Sequence, residues 1–179
     1  MLNLANRITI GRIILIPFFI AAIIYSRMDM ALILFFLAIA SDALDGYIAR
    51  SQNQKTRLGT FLDPLADKML LVSAFICLSI FKNVPPDLRF PPYVPIIVIS
   101  RDALIVLGSI IIYVLAGDIN IKPTWSGKMT TFFQMLTIAS VLVQFKYSYI
   151  IWNTAVIMTI ISGIGYLLMG SRLLNGGPK

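Results

Sequence analysis

The sequence predicts an all-α integral membrane protein, a bundle of six transmembrane helices, and three observations carry that prediction. The 179 residues are 58% hydrophobic and only 13% charged, with a mean hydropathy of +0.86, too apolar for a domain whose whole surface must face water. Apolar stretches of about 20 residues, the length that crosses a bilayer, recur with short connections between them. Basic residues gather at alternate ends of those stretches, as the difference between cytoplasmic and outer loops requires.

The spans are expected at residues 8–27, 30–50, 58–81, 93–116, 127–145 and 148–171. The first stands beside Arg7 and Arg12, a layout shared with secretion signals, but reading it as one removes a span that nothing else replaces. The lead from Met1 to Asn6, rich in Leu and Asn, is expected to lie along the interface before that span. The second span carries Asp42 and Asp45 late, the third carries Asp63, Asp67 and Lys68 early, and Arg101 with Asp102 interrupts the fourth. Pro85, Pro86, Pro91, Pro92 and Pro123 mark the connections near 82–92 and 117–126. The fifth span is nearly uncharged, and the sixth, from Tyr147 to Ser171, is the longest uncharged run. With the N-terminus in the cytoplasm, the inner side collects Arg7, Arg12, Arg50, Lys55, Arg57, Lys122, Lys128, Arg172 and Lys179. The outer side holds only Arg27, Lys82, Arg89 and Lys146, so the N-in/C-in orientation is expected. No repeat, linker or low-complexity tract divides the chain, and residues 1–179 are read as a single membrane domain.

The inventory of ionisable groups excludes more than it permits. There is no His, all eight acids are Asp, and Cys77 is the one cysteine. Histidine bases, Ser-His-Asp triads, His-rich zinc sites, Glu-based metalloprotease motifs and disulfide frameworks are ruled out. The net charge of +7 is read as cytoplasmic loops meeting anionic headgroups rather than as a nucleic-acid footprint.

Charged side chains at membrane depth cost about 2.5–3.5 kcal/mol each on insertion scales, so they normally face a wet cavity and mark function. Asp42 and Asp45 are three residues apart, Asp63 and Asp67 four apart, so each pair shares one face of its helix. On the expected topology both pairs converge at the cytoplasmic end, on either side of the polar turn Ser51 to Arg57. Four carboxylates in a low-dielectric pocket repel or take up protons unless compensated, and Arg50, Lys68 and Arg101 are the cations near enough in sequence or span. One or two divalent cations solve the same problem. Oxygen-only ligation selects Mg²⁺ or Mn²⁺. Gly46 and Gly59 flank the pairs, either as close-packing positions or where a flat base or phosphate approaches the backbone. Arg50 falls near the face of Asp42, Asp45, Gly46 and Ala49, either as a bidentate phosphate ligand or as a positive-inside anchor. For Asp63 the structural alternative is a helix cap ahead of Pro64. Asp29, Asp87 and Asp118 are expected in loops.

These residues spell D-x2-D-G-x2-A-R-x8-G-x3-D-x3-D, eight identities over twenty-six residues. The pattern resembles the signature of the CDP-alcohol phosphotransferase family, integral membrane enzymes that displace CMP from a CDP-linked donor. The resemblance extends to the six-helix pattern and to Asn6-Arg7-Ile8-Thr9 with Arg12. It implies a six-helix bundle, usually a homodimer, with a polar cavity on the cytoplasmic side of, here, a bacterial inner membrane. It implies that Asp42, Asp45, Asp63 and Asp67 surround two divalent ions, that Asp67 is also the general base, and that Gly46, Ala49, Arg50 and Gly59 contact the CDP moiety of CDP-diacylglycerol.

Within the family, Thr56-Arg57-Leu58-Gly59, Phe61 to Lys68 and Pro123 to Lys128 with Thr131 and Gln134 look most like the branch of phosphatidylglycerophosphate and cardiolipin synthases. There Arg101 and Lys128 are candidate ligands for an acceptor phosphate, although Lys128 reads equally as a loop cation. Two positions where phosphatidylglycerophosphate synthases typically carry further cations are Ser109 and Thr130 here. Fewer cations favour a singly charged acceptor such as phosphatidylglycerol, and Arg101-Asp102 resembles the cardiolipin synthase side. Glycerol 3-phosphate, the commoner acceptor of such small enzymes, is slightly preferred. A cation transporter is the rival from another class. It would spread polar residues at mid-depth over symmetric halves, whereas these acids cluster at one end.

Overall fold

The computed structural model describes residues 4–51, 57–116 and 125–174, and within them the side chains at 10–41, 66, 68–108, 125–169 and 171. Six α-helices follow one another: α1 Leu4–Ile24, α2 Met28–Ser51, α3 Arg57–Ile80, α4 Tyr93–Ala116, α5 Trp125–Leu142 and α6 Ser148–Leu174. They coincide with the six expected spans to within a turn. One short 3₁₀ turn, Pro86–Leu88, lies between α3 and α4, and the described residues contain no strand. The segments Pro86–Gly108 and Ser148–Met169 are long and apolar enough to cross a membrane; Ile10–Ile24, Met28–Ser41 and Lys68–Ile80 are shorter apolar helices.

Two expectations change. Residues 4–6 are the first turn of α1 rather than a separate interfacial lead, because no breaker separates them from the apolar run. Asp29 lies in the first turn of α2 rather than in a loop, where its charge complements the amide ends of the helix.

The chain forms two compact units: Met1–Arg89 with Ile138–Lys146, and Phe90–Thr137 with Tyr147–Lys179. In the first, α1 packs against both α2 and α3. The buried side of α1 is Arg12, Ile16, Phe19 and Ile23; that of α2 is Met28, Ala31, Phe35 and Ala38. Both follow the alternating three- and four-residue spacing of a coiled-coil seam. Phe19 meets Phe35 with ring centroids 6.1 Å apart. The turn joining α1 to α2 is a Schellman motif: Arg27 N–H donates to the Ala22 carbonyl and Ser26 N–H to that of Ile23, with Ser26 left-handed at φ 58°. The same motif closes α5, where Phe145 N–H donates to Ser140 and Gln144 N–H to Val141, with Gln144 at φ 58°. Both place a residue with a Cβ where glycine is the usual choice. Asn83 Nδ2 donates to the Ile24 carbonyl, tying the segment after α3 to the end of α1.

In the second unit α4 packs on α6, and two contacts fix their direction. Tyr93 Oη donates to Asn153 Oδ1 at 2.8 Å, and Arg101 Nη2 donates to Ser162 Oγ at 2.7 Å. Eight residues along α4 match nine along α6, so the two helices run parallel. Phe90 stacks edge-on against Trp152 at 5.6 Å.

Candidate functional site

The signature residues lie on α2 and α3, the two helices that share α1 as a packing partner. Asp42, Asp45, Gly46, Ala49 and Arg50 occupy the last three turns of α2. Gly59, Asp63 and Asp67 occupy the first three turns of α3. Their backbones are helical throughout, so Asp42 and Asp45 are separated by about 4.5 Å of rise and Asp63 and Asp67 by about 6 Å. The side chains of all eight lie outside the described residues. Asp63 is six residues inside α3, which begins at Arg57, so it does not cap a helix starting at Pro64. Pro64 has no amide proton and leaves the Thr60 carbonyl without its helical donor, one residue from Gly59 and three from Asp63.

Helical spacing carries the buried stripes of α2 and α3 on to the aspartate positions. On α2 the sequence Met28, Ala31, Phe35, Ala38 is buried, and the next two steps of the three-four spacing are 42 and 45. On α3 Leu70, Ala74 and Cys77 are buried, and the preceding step is 67. The acids therefore stand where an amphipathic helix ordinarily places its packing residues. Among the described side chains no group of three His, Cys, Asp or Glu is clustered to hold a metal.

Arg101 is 7% exposed and is held on three sides. Nη1 donates to Asp102 Oδ1 at 2.7 Å, Nη2 donates to Ser162, and the guanidinium carbon lies 5.4 Å from the centroid of the Tyr166 ring. Its Nε has no hydrogen-bond partner. Lys128, the other expected acceptor ligand, is exposed on the first turn of α5. Thr130, at the position read as a missing lysine, is fully buried. Its hydroxyl donates to the Ser126 carbonyl at 2.9 Å and lies 3.2 Å from the Met158 carbonyl of α6. A lysine there would lose both contacts and bury a charge. The Ser109 side chain lies outside the described residues.

Two buried polar groups escape a reading by motif roles. Gln134 is fully buried, and neither its amide oxygen nor its nitrogen has a hydrogen-bond partner. It shares the inward face of α5 with Thr130 and Thr137, a four-then-three spacing visible in the sequence. Arg12 is 1% exposed and eight residues inside α1, too deep for a loop anchor. A charge that far into an apolar run was the signal.

The profile of the family described as CDP-alcohol phosphatidyltransferase matches residues 2–161. The chain belongs to that family. It is 37% identical over 184 residues to a CDP-diacylglycerol–glycerol-3-phosphate 3-phosphatidyltransferase of Haemophilus influenzae, covering 97% of both chains. A protein of the same description from Bacillus subtilis is 33% identical, with 93% of this chain and 94% of the relative covered. The human cardiolipin synthase (CMP-forming) is 30% identical over 97% of this chain and 63% of its own length. As a member of the CDP-alcohol phosphatidyltransferase family, the chain carries its unbroken signature on two successive helices.

Proposed function

We propose that the protein transfers the phosphatidyl group of CDP-diacylglycerol to glycerol 3-phosphate, giving phosphatidylglycerophosphate and CMP. The observation that carries this is the intact signature, D-x2-D-G-x2-A-R-x8-G-x3-D-x3-D, on α2 and α3, both packed on α1. Relatives described by that reaction match over nearly their whole length at 33–37% identity. Phosphatidylglycerol is the second acceptor to consider. Thr130 and Ser109 stand where two cations are typical of phosphatidylglycerophosphate synthases, and cardiolipin synthases are also among the relatives.

The donor set fits hard divalent ions: four carboxylates, with no His or Glu anywhere in the chain, and oxygen-only ligation prefers Mg²⁺ or Mn²⁺. Asp42, Asp45, Asp63 and Asp67 would hold two such ions, which supply charge neutralisation on the pyrophosphate and on departing CMP. Asp67 accepts the proton of the acceptor hydroxyl as that oxygen attacks the β-phosphorus. The new P–O bond forms as the bond to the bridging oxygen breaks, and the electron pair leaves with CMP. No covalent enzyme intermediate is needed. Arg50 holds donor phosphate bidentately, while Gly46, Ala49 and Gly59 leave room for the CDP moiety. Lys128, and Arg101 through its remaining Nε, are assigned to the acceptor phosphate.

Exposed apolar helix faces support a multi-pass membrane protein, and the excess of Lys and Arg in the expected inner loops supports a site toward the cytoplasm. Phe18, Ile33, Phe36, Ile96, Leu107, Ile157, Ile164 and Leu167 are exposed along their helices, far more apolar surface than a soluble monomer shows. Residues 1–179 form one N-in/C-in domain of six spans that works as a homodimer in the inner membrane. The test is incubation of purified protein and CDP-diacylglycerol with glycerol 3-phosphate, phosphatidylglycerol, inositol phosphate or serine, with the lipid product identified by mass spectrometry. Phosphatidylglycerophosphate is expected; cardiolipin transfers the assignment to phosphatidylglycerol, and cation flux without CMP release refutes both.

A further inference from the structure

We infer that Arg12 is the built-in counter-charge of the aspartate site, a positioning residue seated between the two aspartate-bearing helices. The inference rests on the metal-binding role assigned above to Asp42 and its companions. The register of the α1–α2 hairpin carries it. Phe19 and Phe35 touch across the seam, and each step away from them pairs positions whose numbers sum to the same value: Ile23 with Ala31, Ile16 with Ala38, Arg12 with Asp42. Arg12 lies seven residues before Phe19 and Asp42 seven after Phe35, two turns and about 10.5 Å of rise on each helix. Seven residues return a helix to nearly the same face. Both positions therefore lie on the seam at one height.

The third helix brings its acids to the same level. Asn83 ties the end of α3 to that of α1 through the Ile24 carbonyl. Counting twelve residues back from Ile24 reaches Arg12, and twelve back from Ile80 reaches Lys68, the neighbour of Asp67.

Burial makes the pairing necessary. Arg12 is 1% exposed and engages a partner inside the protein, yet α1 contains no acid of its own. A guanidinium cannot shed its proton, so burying it requires negative charge from a neighbouring helix. The aspartates have the reciprocal need before a metal ion binds. In the metal-free protein the Arg12 charge holds the helices together across the seam; when metal binds, the same charge limits affinity.

A stability cycle in metal-free, detergent-solubilised protein tests the pairing, using Arg12→Met, Asp42→Asn and the double variant. Each single change strands a buried charge or dipole, so the double variant is expected to melt above Arg12→Met, even if the latter folds poorly. A double variant no more stable than Arg12→Met overturns the pairing. The second measurement is Mn²⁺ binding followed by electron paramagnetic resonance. Arg12→Met is expected to bind Mn²⁺ roughly tenfold more tightly than wild type, and Arg12→Lys to bind like wild type. Unchanged or weaker binding in Arg12→Met overturns the counter-charge role, and a raised KM for CDP-diacylglycerol with unchanged Mn²⁺ affinity reassigns Arg12 to the donor. Wild-type protein that binds no Mn²⁺ or forms no lipid product refutes the enzymatic role instead, which the stability cycle does not use.

Discussion

Arg12 and Arg101 are both buried arginines within apolar helices, and they are accommodated in opposite ways. Arg101 has its acid beside it in sequence: Asp102 on the same helix, with Ser162 and Tyr166 of α6 completing the cage. Arg12 has no acid on its helix and depends on another. The first arrangement neutralises its charge within one pair of helices and leaves only Nε for a ligand. The second, on the inference above, ties a charge to acids assigned to the metal site, so its balance would change when a cation arrives. A buried cation with a neighbouring acid in sequence thus reads first as a strut, and one without reads as part of a site assembled from several helices.

The sharpest way to break this comparison is at the reacting end of the first unit. Asp67→Asn is expected to lower CMP release by roughly 10²–10⁴-fold, the usual contribution of a positioned base, with the protein still eluting as a folded species; unchanged turnover removes Asp67 as base. Chelation is expected to act as strongly but reversibly. EDTA should abolish activity and added Mg²⁺ or Mn²⁺ restore it, whereas full turnover in chelator is incompatible with a carboxylate metal site.

In the second unit the expected losses are of stability. Asp102→Asn strands the Arg101 charge and is expected to cost about 3–5 kcal/mol, while Arg101→Met with Asp102→Asn together costs far less; thermal melting of the four proteins reads the difference. Equal losses for the single and double variants would mean that Arg101 draws its balance from elsewhere. Gln134→Met should stabilise by about 1–3 kcal/mol, because it removes a buried amide whose oxygen and nitrogen are both unpartnered. If melting falls instead, an ordered water or ligand fills that amide, and the acceptor KM of the variant shows which. The smallest effect belongs to the turns. Ser26→Gly and Gln144→Gly relieve left-handed strain at two Schellman positions and should each raise stability by about 0.5–1 kcal/mol.

Most of the helical frame was legible from hydropathy alone, since apolar runs near 20 residues long leave little choice of structure. The ends were less so. Residues 4–6 join α1 and Asp29 joins α2 because an unbroken chain continues a helix past the apolar boundary when nothing competes for its hydrogen bonds. For the site, the spacing of Asp42, Asp45, Asp63 and Asp67 was readable because periodicity is local. The contacts of Arg101 with Asp102, Ser162 and Tyr166 and the burial of Thr130 and Gln134 were not, because each depends on what a neighbouring helix presents.

Composition and spacing by themselves determined that this is a helical, strongly apolar chain with two pairs of aspartates at helical spacing on two successive helices. Those properties depend on residue type and on separations of three, four and seven, which any helix converts into faces. Only the tertiary structure decided that α1 is the element shared by both acidic helices, and that Arg12, which reads in the sequence as a loop anchor, is buried on the α1–α2 seam. The reason is physical: a sequence specifies where a charge sits along its own helix, but the register between helices is set by packing, here by Phe19 against Phe35.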